Sequence, residues 1–110
     1  MPRYFVKQPN NLIAIWSTIV DDFIALSLTR EAAIKTEFYN PSYSNYPGGQ
    51  DALRNDLYRE MQNIDTAGRA WDWANNWDEC VSWLEHARAK TLKIIDKHGI
   101  PRKMKGNGAP

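Results

Sequence analysis

Cys80 and His86 are the first residues to weigh for nucleophilic chemistry. Cys80 stands near the expected start of a helix, where the helix dipole lowers a thiol pKa, and His86 follows six residues later. Six residues along a helix put the two side chains on different faces, so they form no nucleophile–base pair. Cys80 also falls on an apolar seam and reads as a buried structural cysteine. The two histidines, His86 and His98, lie far apart, and neither an HExxH helix nor a DxDxDG loop occurs. No metal site is expected. Asp21-Asp22 and Asp78-Glu79 are sequence neighbours, whereas carboxylates that act as acid and base must face each other across a pocket. The first pair reads as a turn. The second reads as the acidic first turn of a helix. Pro47-Gly48-Gly49 lacks the following Lys-Ser/Thr of a phosphate loop and reads as a turn before a helix. No catalytic residue and no cofactor is expected, and the chain reads as a non-enzyme.

Binding residues are more prominent. From His86 onward the basic residues Arg88, Lys90, Lys93, Lys97, Arg102, Lys103 and Lys105 are opposed only by Asp96. Such a stripe can neutralise phosphates, which makes these seven the candidate anion-binding residues. The plainer reading is a helix C-terminus whose cations complement the dipole, followed by a solubilising tail. No zinc-finger, RRM or helix-turn-helix signature accompanies the stripe. Four of the five tryptophans fall between Arg69 and Trp83. One helix face cannot bury all four. Trp73 and Trp77 are expected in the core, and Trp71 or Trp83, the two candidates, at a subunit or partner contact, where exposed indoles are enriched. Tyr43 and Tyr46, in a Pro/Gly-rich loop, are further candidates for partner contact.

These residues need elements to carry them. With 110 residues, 43% of them hydrophobic and 25% charged, the chain is expected to form one domain over 1–101, with a flexible basic tail over 102–110. One cysteine allows no intramolecular disulfide, which fits a reducing cytoplasm, and the N-terminus has no apolar h-region of a signal peptide. No apolar run reaches the length of a membrane span, so no membrane partner is expected. YFVKQ (4–8) and LIAIWSTIV (12–20), rich in β-formers, flank the turn residues Pro9-Asn10-Asn11 and predict a hairpin. Residues 12–20 are apolar on both faces, as for a strand covered on both sides or paired in an oligomer. FIALSL (23–28) reads as a third strand or an extended connector. Thr29 caps a helix expected over 30–39, and a second amphipathic helix is expected over 50–64 with Leu53, Leu57, Met61 and Ile64 on its seam. Thr66 reads as the cap of a short helical turn over 66–74. Asn76 and Glu79 resemble a capping box, and one long helix is expected from Trp77 to His98, ending at Gly99. The expected fold is α+β: an N-terminal antiparallel hairpin or three-stranded sheet on about three helices, the C-terminal one longest. A small sheet with an apolar second face also suggests a homodimer.

Tyr4 to Phe23 (YFVKQPNNLIAIWSTIVDDF) followed by Leu28 to Ile34 (LTREAAI) resembles a type of small tailed-phage protein. These proteins open with a Lys-Gln-Pro-Asn hairpin, then a Ser-Thr-x-Val-Asp segment, then a helix starting Met/Leu-Thr-acidic. The resemblance spans about the first third of the chain. It implies a phage accessory product in the host cytoplasm and transfers no catalytic residue. Proteins of this kind often act by stoichiometric binding. The leading expectation is therefore a protein that binds and inhibits or redirects a host protein, such as a defence component. A nucleic-acid-binding or regulatory protein using the basic helix and tail is the alternative. A second alternative is a sponge for a signalling nucleotide, held by Tyr and Trp stacking and Arg/Lys pairing.

Overall fold

A computed structural model describes residues 3–67 and 77–103. Three strands, β1 (Arg3–Lys7), β2 (Ile13–Ser17) and β3 (Asp22–Leu28), form an antiparallel sheet in the order β1-β2-β3. The β1–β2 register sets Phe5 opposite Ile15 and Val6 opposite Ala14. The turn between them closes with Asn11 at φ 69, a conformation that Asn tolerates well. Gln8, fully buried, ties this turn to β3: its Oε1 accepts the Ser27 N–H at 2.6 Å. Ser27 has φ 58, and the β2–β3 pairing shifts register between Ile13 and Ile15. This is a β-bulge in an edge strand, held from the first turn.

The helices are α1 (Arg30–Phe38), a 3-10 turn over Pro41–Tyr43, α2 (Gly49–Ala67), α3 (Trp77–Ala87) and α4 (Ala89–Lys97). The Thr29 side chain accepts the Ala32 N–H, as its position before the helix predicts. The sheet is covered on both faces. Phe5, Ile13 and Ile15 cluster with Ala33 and Ile34 of α1 and Leu53, Leu57, Met61 and Ile64 of α2. Val6, Ala14, Trp16 and Phe23 cluster with Trp77, Cys80, Val81 and Leu84 of α3 and Leu92 and Ile95 of α4. Strand residues alternate between faces, so β2 supplies Ile13 and Ile15 to one layer and Ala14 and Trp16 to the other. The apolar second face that argued for a homodimer is thus covered by the chain's own helices.

Three expectations change. The single helix over 77–98 is broken at Arg88, whose backbone (φ −141, ψ 64) is not helical. Unbroken, it would extend roughly 33 Å at about 1.5 Å per residue, about twice the length of a five-residue strand. The break folds α4 back so that Leu92 and Ile95 reach the same layer as Leu84. It also turns Ala87 and Ile94, both placed on the expected seam, to the surface. As a result α2, not the C-terminal helix, is the longest described helix. Second, Thr66 caps no new turn: α2 runs on to Ala67, and the Thr66 hydroxyl donates to the Gln62 carbonyl. Third, β2 ends at Ser17, leaving Ile19 and Val20 in a turn. Trp71, Trp73, the cap at Asn76 and Lys105 lie outside the described residues.

Gly48 has φ +87, and a Cβ built there would lie 2.8 Å from the Ala52 Cβ. Gly48→Ala therefore combines left-handed strain with a clash at the start of α2, and is expected to destabilise by about 1–3 kcal/mol in urea unfolding. Gly49→Ala, also at positive φ but with open space around it, should cost less.

Candidate binding surface

The β2–β3 turn carries the most exposed large hydrophobic side chain among the described residues, Ile19 at 77%, and beside it the exposed Val20. The Ser17 hydroxyl accepts the N–H groups of Ile19 and Val20, and Asp21 closes the turn at φ 53. Three side chains, one each from α3, α4 and the residue between them, lock the turn from outside. Trp83 Nε1–H donates to the Asp21 carbonyl at 3.1 Å, and the Arg88 guanidinium donates to the Val20 carbonyl at 2.9 Å. The Thr91 hydroxyl donates to the Asp22 carboxylate at 2.9 Å. Trp83 stays 45% exposed while making its bond, so an exposed indole is tied to the turn that bears Ile19 and Val20. Beside it, Trp16, Asp21, Glu79, Cys80 and Trp83 line a cavity of about 290 Å³.

Trp83, one of the two indoles expected at the surface, is exposed, and Trp77 is buried in the core. Cys80 is buried, and desolvation pushes its thiol far above the ordinary range, which suits packing and not nucleophilic attack. Tyr43 and Tyr46 occupy a different region. Their rings meet edge to face at 5.9 Å against the α1–α2 layer. Tyr43 donates to Glu37 and Tyr46 to Asp56. Both are partly buried and hold the loop down.

The basic stripe divides. Arg88 is spent on the turn. Arg102, expected in the flexible tail, pairs with Asp96 at 2.8 Å and Glu85 at 3.2 Å, and holds the Asp96 carboxyl below its usual range. Lys90, Lys93 and Lys97 of α4, and Lys103, are exposed.

Sequence reading missed a buried acidic group between α1, α2 and β1. Glu37 is buried and pairs with Arg3 at 3.0 Å, and desolvation still raises its pKa. Glu60 is 6% exposed and accepts the Phe5 N–H of the edge strand. Desolvation first, then the neighbouring Glu37 and Asp56, push it up to about 7. A signal for it existed: position 60 lies three residues after Leu57 and four before Ile64, on the buried stripe of α2. Neither carboxyl lines the cavity beside Trp83 or the groove of about 500 Å³ between α1 and α2. Among the described residues no group of three or more His, Cys, Asp or Glu is placed to hold a metal, and no described helix is long and apolar enough to cross a membrane.

Comparison of the chain with protein-family models, with curated proteins and with solved structures finds no match.

Proposed function

We propose that this chain is a non-enzymatic, phage-type accessory protein that binds a host protein and inhibits or redirects it, docking through the β2–β3 turn and Trp83. The observation that carries this reading is the locked apolar turn. Ile19 and Val20 are held out to solvent by bonds from Ser17, Trp83, Arg88 and Thr91. Exposed apolar side chains cost solubility, and a rigid turn has little freedom left to lose on binding. The phage assignment rests on the resemblance over Tyr4 to Ile34.

A second reading, nucleic-acid binding, draws on the exposed Lys90, Lys93 and Lys97 of one helix. Salt separates the two. Apolar docking holds a host protein through a high-salt wash, whereas phosphate contacts weaken steeply with salt. Ile19→Ser is expected to weaken host-protein binding at least ~30-fold, as for loss of a hot-spot side chain, with the unfolding midpoint unchanged. Equal binding by parent and Ile19→Ser would place the docking surface elsewhere.

A further inference from the structure

The groove between α1 and α2, about 500 Å³, falls within the size range of small-molecule sites. One wall is a contiguous stack. The Arg54 guanidinium lies over the Phe38 ring at 5.0 Å, and the Tyr39 ring meets Phe38 edge to face at 5.1 Å. All three residues line the groove, so the stack places the guanidinium there. A guanidinium stacked on a ring keeps its N–H edge available in its own plane. The ion-pair partner of Arg54, Asp51, stands at 3.7 Å, beyond ordinary hydrogen-bond distance. Tyr58, one turn after Arg54 in α2, also lines the groove. Tyr39 and Tyr58 are 69% and 53% exposed, so two large aromatic side chains stand in water at its walls. The lining adds Lys35, exposed and in no ion pair among the described residues, and one acidic residue, Glu31.

We infer that this groove is a binding site for a nucleoside monophosphate. The phosphate accepts from the N–H edge of Arg54, with Lys35 adding positive charge. The base lies against the exposed tyrosine rings, because every base has a face that stacks on an aromatic side chain. Each half of the ligand answers one feature of the lining. Inorganic phosphate leaves the rings in water, and a neutral aromatic molecule leaves Arg54 without an anion. Two cations against Glu31 give the lining a net positive charge, which disfavours a cationic ligand. No lining residue belongs to the β2–β3 turn or to α3, so the site stands apart from the proposed docking surface.

The test is a titration of the full chain, labelled with nitrogen-15, with adenosine monophosphate, read at the backbone amide peaks of Lys35, Tyr39, Arg54 and Tyr58. Saturable shifts of these peaks are expected. Adenosine and ribose phosphate, each lacking one half of the ligand, should bind at least about tenfold more weakly. Arg54→Gln and Tyr58→Leu, both at exposed positions, should each weaken the titration roughly tenfold, the loss of one charge-assisted contact or one stacking ring. Lys90→Gln, which removes a cation from α4, should leave it unchanged. So should Ile19→Ser, which removes the proposed docking side chain, and the two proposals therefore fail separately. No saturable shift, equal binding of either half-ligand, or an unchanged titration in Arg54→Gln or Tyr58→Leu overturns the assignment. So does an equal loss in Lys90→Gln, which would report general attraction of phosphate, or much tighter binding of tetra-adenylate, which would assign the groove to a strand.

Discussion

Glu60→Gln is expected to be more stable than the parent protein above neutral pH, by about 3 kcal/mol at pH 8, with the difference vanishing near pH 4.5. The carboxyl is raised from an ordinary 4.5 to about 7 in the folded chain, chiefly by desolvation. A raised carboxyl binds more protons folded than unfolded, so its contribution to stability is fully present below 4.5. It falls by about 1.4 kcal/mol per pH unit as pH rises and is lost once pH passes about 7. Glutamine copies the neutral acid, since its amide oxygen can still accept the Phe5 N–H. The chain's terminal positive charge and the Phe5 N–H oppose the rise and desolvation outweighs them; Glu37 and Asp56, both negative, reinforce it, and Tyr4 of β1 is itself raised by burial and by Glu60. Arg3 is engaged at Glu37. Glu37, raised in the same direction, adds to the parent's decline. Urea unfolding at pH 5, 6, 7 and 8 checks it. The parent should lose stability across the series and Glu60→Gln should lose much less. Parallel profiles would show that ionising Glu60 costs the fold nothing.

Trp77→Ala is expected to cost about 3–5 kcal/mol, the range for removing a large buried aromatic side chain, against a typical total of about 5–15 kcal/mol. Trp77 is 1% exposed, stacks on Phe23 at 5.3 Å and donates its indole N–H to the Pro101 carbonyl at 2.9 Å. It therefore joins three parts of the second layer: the start of α3, strand β3 and the segment after α4. Trp77→Phe keeps much of the packing and loses the bond, so it should cost clearly less. The variant should also bind a hydrophobic dye, because loosening α3 and α4 uncovers Val6, Ala14, Trp16 and Phe23 of the sheet. A loss below about 1 kcal/mol for Trp77→Ala would mean that the layer is held by Leu84, Leu92 and Ile95 without it.

Much of this architecture was written in local patterns. The Asn11 turn, the Thr29 cap, the seam of α2 and the burial of Cys80 and Trp77 each follow from residue type and spacing, because the forces that set them act over a few residues. The apolar residues on both faces of 12–20 announced a strand covered on both sides or paired in an oligomer. What they left open was whether the second cover came from the same chain.

The break at Arg88 had no local signal. Ala87-Arg88-Ala89 holds neither Gly nor Pro and suits a helix. It bends because Arg88 and Thr91 bond to Val20 and Asp22, residues nearly seventy positions away, and because only a folded-back α4 brings Leu92 and Ile95 onto a sheet as short as this one. The candidate surface has the same origin. Sequence alone named Trp83, with Trp71 as the alternative, as an exposed indole, but it assigned Ile19 and Val20 to a strand and Arg88 to an anion-binding stripe. Periodicity reports which side of an element is apolar. Tertiary packing decides which apolar residues are left over when the faces have been covered, and here it leaves Ile19 and Val20 exposed on the turn that Trp83 is bonded to.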